Sequence, residues 1–556
     1  MSTRWLFWAS IAALAAACSP AGNERVPVDN VPGAGNTGVG GGSGGGGDVG
    51  AGGSVPTEVC GTSKAGPALL RRLTSIELAR SLDAVFPEAK GQWSSALSAD
   101  SLTHNGFDND AAALRVGKQT AAEIAETAKS VAAAITGAAL PQILPCAATA
   151  PSRACAGEFL AKYGKRLFRR PLTEAETTRY LGFFDTAVMK TDAVRGLGWM
   201  TRALIESPHF IYRREIGAPG ASGRQLTQHE IATELAYTYT GTTPSDDLLG
   251  KADRNELASS EQLAAIAKTL LSSAGRDVID RFFSLYLGYG RVMSVVKTNV
   301  PDFTQHRPAM AEETRRFIQE VVVNQNGGIR ELLTANYTTL TPALAQFYGF
   351  PAPASDYAVT PRPPQRGIGV LAQGAVLATR ALSNGSSPTQ RGLLVFERLL
   401  CREKPQVPAD VPMLPQPLPG QITTRQRYEM QHASGGSCKG CHALFDPIGF
   451  GFEHFDEAGK YRDMEGALPI DSSSHVPSKT GTQLFSFTNL EELATGLASQ
   501  PEVHQCVSAY VTTYAFGSAE ACLGETRRPE FIAGTVGFID YLASLAAEPH
   551  FRTRLP

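Results

Sequence analysis

A mainly α, multidomain body behind a Gly-rich linker is the fold class this sequence predicts, and three features predict it. One capping signal opens three segments, apolar stripes of helical period follow, and a glycine-dense stretch separates an apolar N-terminus from the rest. At 556 residues the chain is too long for a single core. Its formal net charge of −2 gives no electrostatic reason to expect a nucleic-acid partner.

The capping signal is LTSIE at 73–77, LTEAE at 172–176 and LTQHE at 226–230. In each, Thr caps the first turn, Glu three residues on reaches back, and the preceding Leu staples the entry. After the first copy, Leu78, Leu82, Val85 and Phe86 form a stripe that stops at Pro87. The intervals between copies are unequal, so they mark helix starts and not a solenoid repeat. Further helices are predicted over 203–215, 261–273, 276–289 and 311–323, with no β-alternation before residue 350. Arg169, Arg170, Arg213 and Arg214 read as ion-pair buttresses or helix surface. His209 and His229 lack partners at metal spacing.

The N-terminus reads as an export signal. Arg4 precedes an apolar run from Trp5 to Ala17, and Ala15-Ala16-Ala17 lead into Cys18. This is the pattern of a bacterial lipobox with Cys18 as the lipidated residue, although Leu14 stands four residues before the cysteine and not the usual three. An ordinary signal cleaved at an A-x-A site is the alternative, and both export the protein. Residues 19–58 are too rich in Gly, Ser and Pro to bury a core, and as a disordered coil they span roughly 35 Å. Within them Gly33–Gly38 matches G-x-G-x-x-G and Gly41–Gly45 matches G-x-S-x-G. With no strand before and no helix after, neither can cradle a phosphate or present a nucleophile.

Beyond residue 352 the composition turns toward Pro and Gly. GVLAQGAVLATRAL and SSPTQRGLLVFERLLC read as two helices, the second entered through Pro388, and the proline run at 405–419 is an extended spacer. The domains expected are therefore 1–17 signal, 18–58 lipid-anchored linker, 59–215 N-terminal helical domains and 216–351 central helical domain. A Pro/Gly-rich domain at 352–475 and a C-terminal helical domain at 476–556 complete the set.

That Pro/Gly-rich domain contains GGSCKGCHALFDPIGF at 435–450. In Cys438-Lys439-Gly440-Cys441-His442, two thiols three residues apart share one face of a helical turn. There they can add to the vinyl groups of a haem, while His442 supplies the proximal ligand to the iron. A short helix from Cys438 to about Phe445 is predicted, ended by Asp446 before Pro447. A structural zinc site needs a second ligand pair, and past His442 the cysteines are Cys506 and Cys522, too far apart to supply one. A thioredoxin-like pair needs a βαβ setting that is absent. One covalent haem c is the favoured cofactor. Met464 is the candidate for the opposite axial position, with Met430, His454 and His475 also near in sequence. The expected fold thus gains a small cytochrome c-like segment in its C-terminal third.

Setting aside Cys18, Cys438 and Cys441 leaves six cysteines, enough for three disulfides and fifteen pairings. Cys146–Cys155 and Cys506–Cys522 are the attractive pairs, since each closes a short loop. No flanking His supports a catalytic thiol, and no catalytic residue can be assigned.

The stretch CKGCHALFDPIGFGFEHFDEAGKYRD resembles a family of multidomain secreted cytochrome-like proteins, abundant in planctomycetes and myxobacteria, built from serial domains of unknown function. The residues carrying the likeness are Cys438, Cys441, His442, Asp446, Pro447, Gly449, Phe450, Glu453, Phe455, Asp456, Gly459, Tyr461 and Arg462. His454 stands where the family usually has Asn. RRLTSIELARSLDAVF, FLAKYGKRLFRRPLTEAE, SPHFIYRRE, LTQHEIATELAYTYTGTTPSDDLL, LTPALAQFYGF, SSPTQRG and LEELATGLASQPEVHQCVSAYVTTYAFG extend it along most of the chain. The resemblance implies an exported, mostly α, haem-bearing protein, with a neighbouring exported partner as a further expectation.

Three functions follow as expectations. The first is electron transfer or redox chemistry at the cell envelope, in periplasm or outer membrane, through one haem c reached by a redox partner. The second is a haem oxidoreductase, peroxidase-like with a small-molecule substrate, if the distal position is open. The third is a non-enzymatic binding or scaffold lipoprotein with a structural or absent haem. In all three the membrane is met only through the N-terminal lipid.

Overall fold

The computed structural model describes residues 66, 68–147, 152–220, 223–405, 422–433, 437–480, 482–518 and 528–555. The signal, the linker, Cys18, Cys60, Cys522 and most of the proline run lie outside the described residues. Among the described residues the fold is mainly α, with strands of two to five residues between helices.

All three capping signals start helices. Thr74 caps Ser75–Val85, Thr173 caps Glu174–Lys190 and Thr227 caps Gln228–Thr240, each with a reciprocal Glu in the third helical position. Leu78, Leu82, Val85 and Phe86 are all fully buried. They join Phe159, Tyr163, Leu197 and Leu204 in a first core built from residues 73–211, with Tyr237 reaching in from beyond. Cys146 and Cys155 are joined by a disulfide within this part.

A second, larger core takes Phe107 and then residues from 226 to 551. Its helices include Ser260–Ala274, Arg276–Leu287, Phe303–Ile318 and Pro501–Phe516. The predicted helices at 261–273 and 276–289 are thus present, and the one at 311–323 is the end of a helix beginning at Phe303 that runs into a wider turn over Gln319–Asn324. The same core holds Ile448, Phe452, Leu493 and Tyr510, so the CxxCH segment and the C-terminal helices share one interior.

Two expectations for the first half are corrected. The helix predicted over 203–215 breaks at Ser207-Pro208. Ala193–Ile205 ends there, Pro208–Ile211 makes one short turn, and Tyr212–Arg213 becomes a strand. Proline has no N–H for the preceding turn, and the Ser207 side chain caps the new start by accepting from the His209 N–H. Strands also occur before residue 350. Arg71–Arg72 pairs antiparallel with Tyr212–Arg213, and Ala218–Gly220 pairs with Gly223–Gln225. Tyr337–Leu340 pairs with Ala358–Pro361. Pairings this short carry no alternation that a periodicity could reveal.

The ion-pair reading holds for Arg170 and Arg213, while Arg169 is a buried anchor for backbone carbonyls. Arg169 is buried and donates to the carbonyls of His209, Phe210 and Tyr212. Arg170 grips Glu176, holding that carboxyl down at about 2, while Arg213 meets Glu234 at 2.7 Å in the interior. Arg554, on the last strand, meets Glu215 at 2.7 Å, so the C-terminal end of the described chain is fastened to the first core's edge.

The disulfide expected between Cys506 and Cys522 is not formed. Cys506 is bonded to Cys401 across 105 residues, with Cα atoms 5.3 Å apart. The reason is local. Cys506 is fully buried in the second turn of Pro501–Phe516, and that helix packs against the turn Leu394–Leu399 just before Cys401. From there the helix runs roughly 15 Å further to its own end, so a partner beyond it would have to double back.

Candidate haem-attachment site

The CxxCH segment is helical from Ser437 to Phe450. The predicted stop at Asp446-Pro447 is therefore corrected: the helix passes through the proline. Pro447 gives no N–H to the turn before it, and the residue preceding a proline disfavours the helical region. Side-chain bonds to Asp446 and the burial of Ile448 and Phe450 oppose that cost.

This helix is fixed by a close crossing with the Pro388–Leu393 helix. A Cβ at Gly449 would lie 1.9 Å from the Pro388 carbonyl oxygen, and one at Gly392 would lie 1.9 Å from that of Phe445. Two glycines thus let two backbones touch, one from PTQRG and one from DPIGF. Gly449→Ala is expected to lower stability by about 1–3 kcal/mol, because backbone on both sides must shift to admit the methyl group. A thermal melt equal to that of the unaltered protein would contradict the crossing.

Within PTQRG, Arg391 is fully buried and organises the segment after the CxxCH helix. Its guanidinium donates to the carbonyls of Phe452 (3.0 Å), Phe455 (2.6 Å) and Asp456 (2.6 Å). Burial pulls its pKa down to about 10, with Glu453 opposing. Asp456 in turn accepts from the backbone N–H groups of Ala458 and Lys460, closing the DEAG turn, where Gly459 has φ +80°. Glu453 accepts from Ser386, and burial pushes its carboxyl up to about 7. Most of the residues shared with the resembled family pattern are therefore the scaffold of the CxxCH helix.

The helix presents one stripe to solvent-facing space. Lys439, His442, Ala443, Asp446, Pro447 and Phe450, at helical spacing, line an open hollow of about 200 Å³. Tyr428 and Glu429 of the Thr424–Ala433 helix form its other wall, and Arg425 lies over the Phe450 ring at 4.9 Å. Ligand pockets usually hold about 300–1,000 Å³, so a large planar group would be covered here only in part.

His442 is held from two sides. Its Nδ1 lies 2.9 Å from the Asp446 carboxylate, one turn on, and its ring meets Phe445 edge to face at 5.2 Å. The Thr389 hydroxyl donates to the other Asp446 oxygen at 2.6 Å and lies 3.4 Å from the same imidazole nitrogen. A carboxylate accepting from Nδ1 fixes the tautomer in which Nε2 carries the lone pair, the state a metal-binding imidazole needs. Cys441 is half-buried at the edge of the main core with a free thiol, and it is not among the residues lining the hollow. The side chain of Cys438 lies outside the described residues.

The described residues fit the ligand side of a haem c site, an imidazole with a carboxylate behind it and an apolar wall, while the thiol of Cys441 faces the core edge and not the hollow. Among the described residues no cluster of three His, Cys, Asp or Glu could hold a metal ion by itself. Met464 is half-exposed on the two-residue strand Met464–Glu465 and does not line the hollow. His454 Nδ1 lies 2.9 Å from the Arg462 carbonyl, its ring stacked on Tyr461, and His475 lies on a paired strand. The roles of Asp446 and Thr389 were missed in the sequence. The i, i+4 spacing of His442 and Asp446 was a usable signal. Thr389 lies 53 residues away, and no spacing points to it.

Comparison with known families adds the architecture. Residues 155–215 match a family described as a protein of unknown function (DUF1595), 226–350 one described likewise (DUF1592), and 366–465 a third (DUF1588). The chain is built from serial domains of unknown function. The third range spans both the PTQRG helix and the CxxCH helix, so the glycine crossing and the His442–Asp446–Thr389 cluster fall inside one matched unit. No curated protein and no solved structure matches the chain. Among the described residues no helix is long and apolar enough to cross a membrane, and two disulfides are consistent with an exported protein.

Proposed function

We propose that this is an exported lipoprotein, anchored through Cys18, that carries one haem c on Cys438, Cys441 and His442 and acts in electron transfer or redox chemistry at the cell envelope. The observation carrying the proposal is the 2.9 Å contact between His442 Nδ1 and Asp446 at the wall of an apolar hollow. A histidine of a merely structural C-x-x-C-H turn has no need of a buried carboxylate and a hydroxyl behind it. Bound there, a haem supplies one-electron chemistry at its iron. The chain's own residues bind and orient: the two thiols tether, His442 ligates through Nε2, and Asp446 keeps the proton on Nδ1. Phe450 on one wall and Tyr428 on the other give the hollow apolar faces.

The test is production of the full-length protein together with c-type haem-maturation machinery. A visible haem band that survives acid–acetone extraction is the expected result. A colourless protein after extraction, from cells that load a control cytochrome, rejects the proposal in favour of a binding or scaffold protein.

A further inference from the structure

Among its described contacts Asp446 is held by two donors, which share the charge of one carboxylate. Its Oδ2 lies 2.9 Å from His442 Nδ1, while its Oδ1 accepts from the Thr389 hydroxyl at 2.6 Å. The carboxylate itself is buried, 4% exposed, where a charged acceptor is stronger than it would be in water. Thr389 is held in turn by the first turn of the Pro388–Leu393 helix, whose backbone touches the CxxCH helix at Gly449 and Gly392. Hydroxyl, carboxylate and imidazole thus sit on two rigid elements whose separation the glycines fix.

We infer that Asp446 and Thr389 are positioning residues that set how strongly His442 donates electrons to an iron, Asp446 raising that donation and Thr389 restraining it. The inference rests on the haem reading above and deepens it. A charged acceptor on Nδ1–H gives the imidazole partial anionic character, which favours the oxidised metal and lowers its reduction potential. A hydroxyl donating to the same carboxylate takes up part of its electron density and tempers the effect. Nothing about attaching a haem requires this pair of opposed contacts.

The two residues therefore carry effects of opposite sign. In the haem-loaded full-length protein, Asp446→Asn leaves a neutral acceptor and is expected to raise the midpoint potential. Losing an outer-sphere partner costs about tenfold to a hundredfold in metal affinity or activity, and the redox equilibrium is expected to move by a similar factor. At 59 mV per decade for one electron that is roughly 60–120 mV. Thr389→Val, of the same shape, removes the hydroxyl and is expected to lower the potential by a smaller amount. The iron–imidazole stretch in resonance Raman moves with them, down in D446N and up in T389V, and Asp446→Glu recovers part of the wild-type values. A structural role predicts none of this, since it would move thermal melting and leave both signals in place. Haem-bearing variants with wild-type potential and stretch, or with shifts of the same sign, overturn the inference alone. If D446N fails to fold, the sign of the T389V shift decides. A wild type without covalent haem overturns the haem reading and this inference with it.

Discussion

Replacing both Cys401 and Cys506 with serine is expected to cost about 4 kcal/mol, because their bond closes a loop of 105 residues in the unfolded chain. The expectation is specific to this pair. Cys506 is fully buried on Pro501–Phe516 and Cys401 follows the Leu394–Leu399 turn, so the bridge joins the unit containing the CxxCH helix to the C-terminal helices. Thermal melting with and without reductant checks it. Reductant should lower the wild-type midpoint well beyond its effect on the double variant, in which only the short Cys146–Cys155 loop remains to be opened among the described disulfides. Equal reductant sensitivity of the two proteins would contradict the assignment of Cys506 to Cys401.

Arg391→Met is expected to be nearly as damaging, at about 3 kcal/mol. The methionine keeps an apolar stem and removes every donor, leaving the carbonyls of Phe452, Phe455 and Asp456 without the group that gathers them. Each orphaned buried carbonyl costs about 1–3 kcal/mol, and relief from burying a charge offsets part of the sum. The turn after the CxxCH helix should loosen first, so backbone exchange at Phe455 through Lys460 should accelerate more than exchange in the Ser75–Val85 helix. Uniform acceleration across both regions would show that Arg391 is not the local hub its contacts describe.

The two expectations also mark where sequence and structure part. Signals confined to one turn were legible: each Thr and Glu of the three capping boxes lies where the spacing puts it, and the apolar stripe from Leu78 to Phe86 is buried as its period requires. Signals that depend on a distant element were not. Pro447 reads as a helix stop from its lost hydrogen bond, yet His442 one turn back and Thr389 on another helix both help to hold Asp446 in place. Cys506 looked ready for Cys522, sixteen residues on, until the helix between them is seen to point it at Cys401. Arg391 and the two crossing glycines looked like parts of a pattern, and their reasons became visible only as three carbonyls and two places where backbone leaves no room for a Cβ.

The candidate site divides the same way. Cys438, Cys441 and His442 were readable from spacing alone, because the chemistry of thioether attachment and axial ligation is itself a spacing. The carboxylate behind the imidazole needed the helix to continue past Phe445, and the hydroxyl behind the carboxylate needed the fold. Met464 had only nearness in sequence to recommend it, and it lies on a half-exposed strand away from the hollow's lining.

The most direct measurement of the central claim is the intact mass of the mature protein purified from cells that attach haem c. Covalent attachment predicts a mass raised by one haem, a gain that vanishes when Cys438 and Cys441 are both replaced by serine and the protein still melts cooperatively. An unmodified mass in the wild type, from cells that load a control cytochrome, would contradict it.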